Sequence, residues 1–263
     1  MIKIIMISIS VFAIGLIMTM SGRGGGNFYV PLLVIAGLGM HQAATMGQFI
    51  LMIAAITGMF VFNKKKMVDW KLALVIDPPT DIMAFVGGYF SNYISGATLK
   101  IVLSGFLVLA GIFMLIKVKE RPIHTEKQFG YWHRKFGEEE YVVNLWYTIP
   151  ITALAGLVAG SVGISGGSFK IPLMVLLCGV PMHIAVGTST AMVAATAIMG
   201  FLGHTMRGHF EPQFAIPLAI AAILAGIFGG KLAIKTNPKY LKRIFAITTF
   251  LAAIVMIINV LSM

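Results

Sequence analysis

Long apolar runs recur along the chain at residues 4–20, 28–39, 43–62, 72–90 and 98–116, then at 147–162, 169–180, 184–203, 212–230 and 244–261. Each run is predicted to be a helix, because an open strand leaves backbone N–H and C=O groups unsatisfied in lipid. The second run of each set of five is only 12 residues long. At ~1.5 Å per residue it reaches ~18 Å, short of a hydrocarbon core of ~30 Å. These two segments are therefore half-helices or arms of re-entrant hairpins.

The two sets of five are copies of each other. A shift of 141 residues aligns Gly15 and Leu16 with Gly156 and Leu157, Gly22 with Gly163, Gly25 and Gly26 with Gly166 and Gly167, and Pro31 with Pro172. After one inserted residue, a shift of 142 aligns Gly37 with Gly179, His41 with His183, Gly58 with Gly200, and Gly87 and Gly88 with Gly229 and Gly230. A register held over this length marks an internal duplication. Residues 4–20 have a mid-chain counterpart near 147–161, so they belong to the fold and are not read as a cleaved signal.

Composition agrees with this pattern: 58% of the 263 residues are apolar and only 11% are charged. A soluble domain carries about a quarter charged residues. The expectation is an all-α polytopic membrane protein with a first repeat at 1–117, a cytoplasmic linker at 118–146 and a second repeat at 147–263. Ten such segments leave no room for a separate soluble catalytic domain.

The formal charge of +11 does not indicate a nucleic-acid surface, because the basic residues sit in short stretches between apolar runs. Lys64, Lys65, Lys66 and Lys71 fill one loop, whereas its counterpart near 205–213 has only Arg207. Conversely, the 89–100 connection has only Lys100, while 231–243 holds Lys231, Lys235, Lys239, Lys242 and Arg243. Equivalent loops swap charge, as expected for copies inserted with opposite topology. With the basic loops inside, the linker is cytoplasmic and both termini face outward. The linker is predicted to carry a surface helix around Tyr131 to Tyr141.

Candidate chemistry lies where each long helix meets a short one. Ser21-Gly22-Arg23-Gly24-Gly25-Gly26-Asn27 occupies this place in the first copy, and Gly163-Ile164-Ser165-Gly166-Gly167-Ser168 in the second. Glycine lets the backbone approach a ligand, and the freed N–H groups of a following helix favour an anion. The alternative is close helix packing by small residues. Arg23 supplies a guanidinium that needs a partner in an apolar setting, either an oxyanion or backbone carbonyls. Lys170 is a second candidate that could instead reach an interface. Thr45, Gln48, Thr188, Ser189 and Thr190 on the third helices offer hydroxyl and amide groups for an anion or for interhelical bonds.

Asp77-Pro78-Pro79-Thr80-Asp81 interrupts the fourth run, while its counterpart from Ala219 to Ile223 is wholly apolar. Asp77 and Asp81 are candidates for proton coupling or for a mobile hinge; the competing reading is Asp77 as a helix cap ahead of Pro78. Cys178 is expected to be a small core hydrophobe. His41 and His183 lack carboxylates or cysteines at ligand spacing, so no metal site is expected. His204, Arg207, His209 and Glu211 are expected on a solvated external loop. No HExxH, CxxC, Walker or GxSxG motif is present, so neither an enzyme nor a cofactor is expected.

The motifs GRGGGNFYVP and GISGGSFKIP, with AVGTSTAMVAATAIMGFLGH in the second copy, resemble the TauE/SafE family of sulfite and organosulfonate exporters. The resemblance covers nearly the whole chain outside the middle loop. It implies a secondary transporter of small sulfur-containing anions in the prokaryotic cytoplasmic membrane, without fixing substrate or direction. Roles for Arg23 and for the DPPTD interruption are not carried over from the family. The combined expectation is alternating access by rocking one copy against the other, around an anion held by Arg23, Gly24 to Asn27, Gln48, Ser165 to Ser168 and Thr188 to Thr190. An anion channel using the same glycine-rich tips is the alternative. The oligomeric state is not legible in the sequence.

Overall fold

Helix length follows apolar run length through most of the chain. The computed structural model describes residues 2–115, 129–164 and 166–237, with individual helical positions between Tyr240 and Ile258. In order, these are α1 (Ile2–Met20), α2 (Gly26–Ile35), α3 (Met40–Lys64), α4 (Trp70–Ile76), α5 (Pro78–Phe90), a 3-10 turn (Ser91–Tyr93) and α6 (Gly96–Leu115). Two strands follow, β1 (Tyr131–Phe136) and β2 (Glu139–Asn144). The second half contains α7 (Leu145–Val162), α8 (Gly167–Pro172) continued by a π turn (Leu173–Leu177), α9 (Met182–Thr205) and α10 (Pro212–Lys235). Linker residues 118–128 and most of the run at 244–261 lie outside the described residues.

The predicted surface helix around Tyr131 to Tyr141 is instead an antiparallel hairpin, with Arg134 opposite Tyr141 and Phe136 opposite Glu139. Two features favour strands over a helix here. Gly137, at φ +63°, makes the two-residue turn that matches strand twist. Burial then alternates along β2, with Tyr141 and Val143 buried and Glu140 exposed. Those buried side chains join Leu72, Ile76, Ile171, Met174 and Cys178 in one apolar cluster, so the hairpin is fastened to the membrane body. Cys178 is a buried free thiol in that cluster, as its apolar setting suggests.

Five helices, α1, α3, α7, α9 and α10, are long and apolar enough to cross a membrane. Large apolar side chains face outward on them and on α6, including Ile5, Met6, Ile9, Ile101, Leu154, Ile216 and Ile220. This is the surface of a chain solvated by lipid, and the protein is a polytopic, mostly helical membrane protein. The centre is formed by α3 and α9, which are 56% and 78% buried, against 28% for α1 and 39% for α7 and α10.

Packing around this centre crosses between the two halves of the chain. α3 packs on α9, α1 on α10, and α5 on α7, with α10 also against α3 and α5 also against α9. Small residues set the closest approaches. A Cβ added at Gly87 would lie 2.2 Å from the Leu157 carbonyl, and one added at Gly229 would lie 2.5 Å from the Leu16 carbonyl. Gly87 and Gly229 are matched positions of the duplication, and so are Leu16 and Leu157.

Candidate functional site

Each glycine turn lies against the third helix of the other copy. Gly22 has φ +76° and Gly163 has φ +78°, a conformation that costs little only for glycine. A Cβ at Gly22 would meet the Val186 carbonyl at 2.7 Å, and a Cβ at Gly163 would meet the Ala44 Cα at 2.3 Å. Ala44 and Val186 occupy matched positions of α3 and α9. The first turn also touches α8, since Ile171 Cδ1 lies 3.2 Å from the same point at Gly22. The two predicted tips are thus brought together on the α3–α9 pair.

Helical spacing defines the surfaces they meet. On α3, Ala44, Gly47, Gln48 and Leu51 form one i, i+3, i+4, i+7 stripe. Gly47 lies beside the Gly163 carbonyl, Gln48 Nε2 donates to the Ile164 carbonyl at 3.1 Å, and Leu51 packs against Gly24. On α9, Val186 meets Gly22 and Val193 meets Gly24, with Ser189 between them on the same face. The Ser189 hydroxyl and Gln48 Oε1 are buried without a hydrogen-bond partner. Buried polar atoms in that condition are rare and point to a water or a ligand.

Arg23, only 1% exposed, sits within the first turn and donates from Nε to Ser21 Oγ at 3.3 Å. Gly25 takes the position before α2 in a left-handed conformation, Gly26 opens that helix, and Asn27 is buried in its first turn. Gly166 precedes α8, and Gly167 begins it. Ser168 lies in α8, while Ser165 falls outside the described residues. Thr190 donates to the Val186 carbonyl of its own helix at 2.8 Å. Thr45 does the same to His41, one turn back, at 2.9 Å.

Thr188 is engaged elsewhere: its Oγ1 accepts from the Asp69 N–H at 2.9 Å. Asp69 was not singled out in the sequence, although an aspartate just before an apolar run is an N-cap signal. It caps α4 by accepting from the N–H groups of Lys71 and Leu72. Arg134 of the hairpin donates to it through Nε at 2.8 Å and Nη2 at 2.9 Å, and the Tyr141 hydroxyl donates as well. Burial alone would raise this carboxyl; the Arg134, Tyr141 and Leu72 donors outweigh it and hold Asp69 below the usual carboxylate value. Asp69 thereby ties the hairpin, the α3–α4 loop and the start of α9 together.

Asp77 forms the joint between α4 and α5, with Pro78 at the first position of α5. Pro78 and Pro79 have no N–H, so the helix breaks here. The Asp77 side chain makes no capping bond. It forms an ion pair with Lys170 of α8, and both residues are buried. Lys170 also donates to Thr196 Oγ1 at 2.6 Å, and Thr196 donates to Asp81 Oδ1 at 2.7 Å. Lys170 therefore does not reach an interface.

The loop after α9 also differs from expectation. His204 is fully buried, because α9 runs on to Thr205 and keeps the ring inside, 2.8 Å from the Gly160 carbonyl and 3.2 Å from Ser91 Oγ. Arg207 stacks 3.8 Å over the Tyr89 ring, His209 stacks on His41, and Glu211 accepts from Gln42 at 2.7 Å. These three loop side chains are partly exposed and also contact neighbouring helix ends.

Comparison with known proteins gives a consistent picture. The family described as "Sulfite exporter TauE/SafE" matches residues 7–256. The probable membrane transporter protein YunE of Bacillus subtilis is 27% identical over 86% of this chain and 85% of its own length. A probable membrane transporter protein of Methanocaldococcus jannaschii is 26% identical over 87% of this chain and 84% of its own. The probable membrane transporter protein YfcA of Escherichia coli is 22% identical over 86% and 79%. No solved structure matches the chain significantly.

Proposed function

Because the chain belongs to the TauE/SafE family of membrane transporters, we propose that it carries small sulfur-containing oxyanions, sulfite or organosulfonates, across the prokaryotic cytoplasmic membrane by alternating access. The observation that carries this reading is the convergence of both glycine turns on the α3–α9 pair, with Arg23 buried inside one turn and the Ser189 hydroxyl and Gln48 Oε1 unpartnered on the facing stripes. The guanidinium fork suits a sulfonate or sulfite oxygen pair, and the start of α2 adds N–H groups and a positive dipole end. Gly24 to Asn27 and Ser189 form the anion shell, and Gly166, Gly167 and Gln48, which packs on Gly200 about 16 Å along α9 from Ser189, line the path of the anion. Thr188 and Thr190 hold the start of α9 in place.

The two copies are inverted with respect to the membrane. The swapped loop charges support this arrangement, and so does the exchanged packing, in which α1 on α10 mirrors α7 on α5. Exposed Trp70, Trp146 and Tyr147 lie near the lysine-rich loop and the hairpin, as aromatics do at a membrane interface, and the lysines there support a cytoplasmic side with the amino terminus outside. The interleaving changes which bodies move. Neither copy can rock as a unit without unpacking α1 from α10 and α5 from α7. The rocking bodies are the mixed bundles α1–α3–α10 and α7–α9–α5, turning about the α3–α9 contact.

The test is an uptake screen in proteoliposomes over sulfite, sulfate, thiosulfate, taurine, sulfoacetate and pyruvate. The expected outcome is saturable uptake of at least one sulfur oxyanion, accelerated by the same anion on the opposite side and exceeding pyruvate uptake. Non-saturating flux with large unitary currents would identify a channel and overturn the carrier reading.

A further inference from the structure

The second glycine turn carries a charge cluster that the anion shell does not use. Lys170 Nζ contacts two elements: the α4–α5 joint through the Asp77 carboxylate, and α9 through Thr196 Oγ1 at 2.6 Å and the Met192 carbonyl at 3.3 Å. Its stem lies on the turn itself, since a Cβ at Gly166 would sit 3.2 Å from Lys170 Cε. The next residue, Ile171, touches Gly22 of the first turn. Lys170 and Asp77 are 1% and 4% exposed, and Thr196 is fully buried. Asp81 is partly exposed and joins the cluster through Thr196.

Charge counting gives this cluster a property that an ordinary structural ion pair lacks. It holds two carboxylates and one ammonium, so the lysine is outnumbered. Besides Arg23 of the first turn, which adjoins Ile171 at Gly22, the other titratable groups on the surrounding elements lie at their ends, Tyr89 of α5 among them. α9 has only His183 in its first turn and His204 in its last, α7 only Tyr147, α4 only Lys71, and described α6 only Lys100. Below the cluster, the Tyr141 hydroxyl is committed to Asp69, and Cys178 lies beside Thr148. Any carboxylate that loses Lys170 is left in an apolar interior, where an unpaired charge is expensive and protonation removes the cost.

Building on the anion-carrier reading, we propose that Asp77 and Lys170 are the proton-coupling switch, in which the transported anion and the Asp77 carboxylate compete for one ammonium. When the anion takes Lys170, the released Asp77 carboxylate binds one proton, which enters through Asp81 and Thr196. When the anion leaves, Asp77 gives up that proton and pairs with Lys170 again. Each monovalent anion thus moves with one proton in the same direction, and the charge of the cluster is the same before and after. The broken helix allows the carboxylate to move away from Lys170, because the α4–α5 joint lacks the hydrogen bonds that Pro78 and Pro79 cannot donate.

The test uses isethionate and sulfate, anions of strong acids that bring no proton of their own. Proteoliposomes hold a trapped pH indicator, and the membrane potential is clamped. The wild-type protein is expected to acidify the lumen by one proton per isethionate taken up, and an inward proton gradient should accelerate uptake. Asp77→Asn is expected to keep saturable uptake while the proton-to-anion ratio falls from one to zero, since an amide cannot carry the proton. Lys170→Met is expected to raise KM about tenfold or more. Saturable wild-type uptake without lumen acidification would overturn the coupling proposal alone, whether or not the variants fold. A normal proton ratio in Asp77→Asn would overturn it as well. Absence of saturable uptake for every anion tested would overturn the carrier reading and this proposal with it.

Discussion

Arg23→Ala is expected to lower the initial rate of saturable anion uptake about 100-fold or more in proteoliposomes loaded with equal amounts of folded protein. Arg23 is buried in the first glycine turn, at the α3–α9 pair, where water cannot substitute for a guanidinium. Truncating one partner of a buried, hydrogen-bonded charge pair costs about 2–5 kcal/mol, and 100-fold corresponds to about 2.7 kcal/mol. Arg23→Lys should recover only part of the rate, because an ammonium keeps the charge but lacks the planar fork. An unchanged rate and KM in Arg23→Ala would remove this residue from the anion shell.

The largest expected loss of stability falls on the paired close approaches. Gly87→Val and Gly229→Val should each destabilise the protein by about 3 kcal/mol or more in detergent, seen as a lower Tm and aggregation on size-exclusion chromatography. At both positions a Cβ would lie within 2.5 Å of a carbonyl oxygen, Leu157 in one case and Leu16 in the other. Helices in lipid associate through such small-residue contacts, so a valine here separates α5 from α7 or α1 from α10. Gly105→Ala is the control, since nothing lies within 4 Å of its added Cβ. Similar losses at Gly87 and Gly229 would fit matched contacts in two related copies. Tolerance of either valine would contradict the packing described.

Much of this fold was legible because apolar run length maps directly onto helices when the solvent is lipid. The ends of α2, α3, α7 and α9 all fall close to glycine, proline or polar breaks in the sequence. The hairpin was not legible in the same way: Tyr141 and Val143 alternate over too few residues to outweigh a helical reading, and Gly137 alone signalled the turn. At the candidate site, the glycine clusters, Arg23 and the DPPTD break announced themselves by composition. Their partners did not. That Lys170 meets Asp77, or that Thr188 serves Asp69, depends on which helices pack together. No spacing within α8 or α9 encodes that.

The claim that an anion sits between the glycine turns and the α3–α9 pair is tested most directly at Ser189, whose buried hydroxyl has no partner. Ser189→Cys in a Cys178→Ala background provides a single thiol on the stripe between Val186 and Val193. Small charged thiosulfonate reagents should modify it from both sides of the membrane. A transported organosulfonate, which unlike sulfite does not itself consume a thiosulfonate, should slow that reaction, with half-protection at its transport KM. A cysteine that stays unreactive from both sides, or reacts at the same rate with and without saturating anion, would contradict the account.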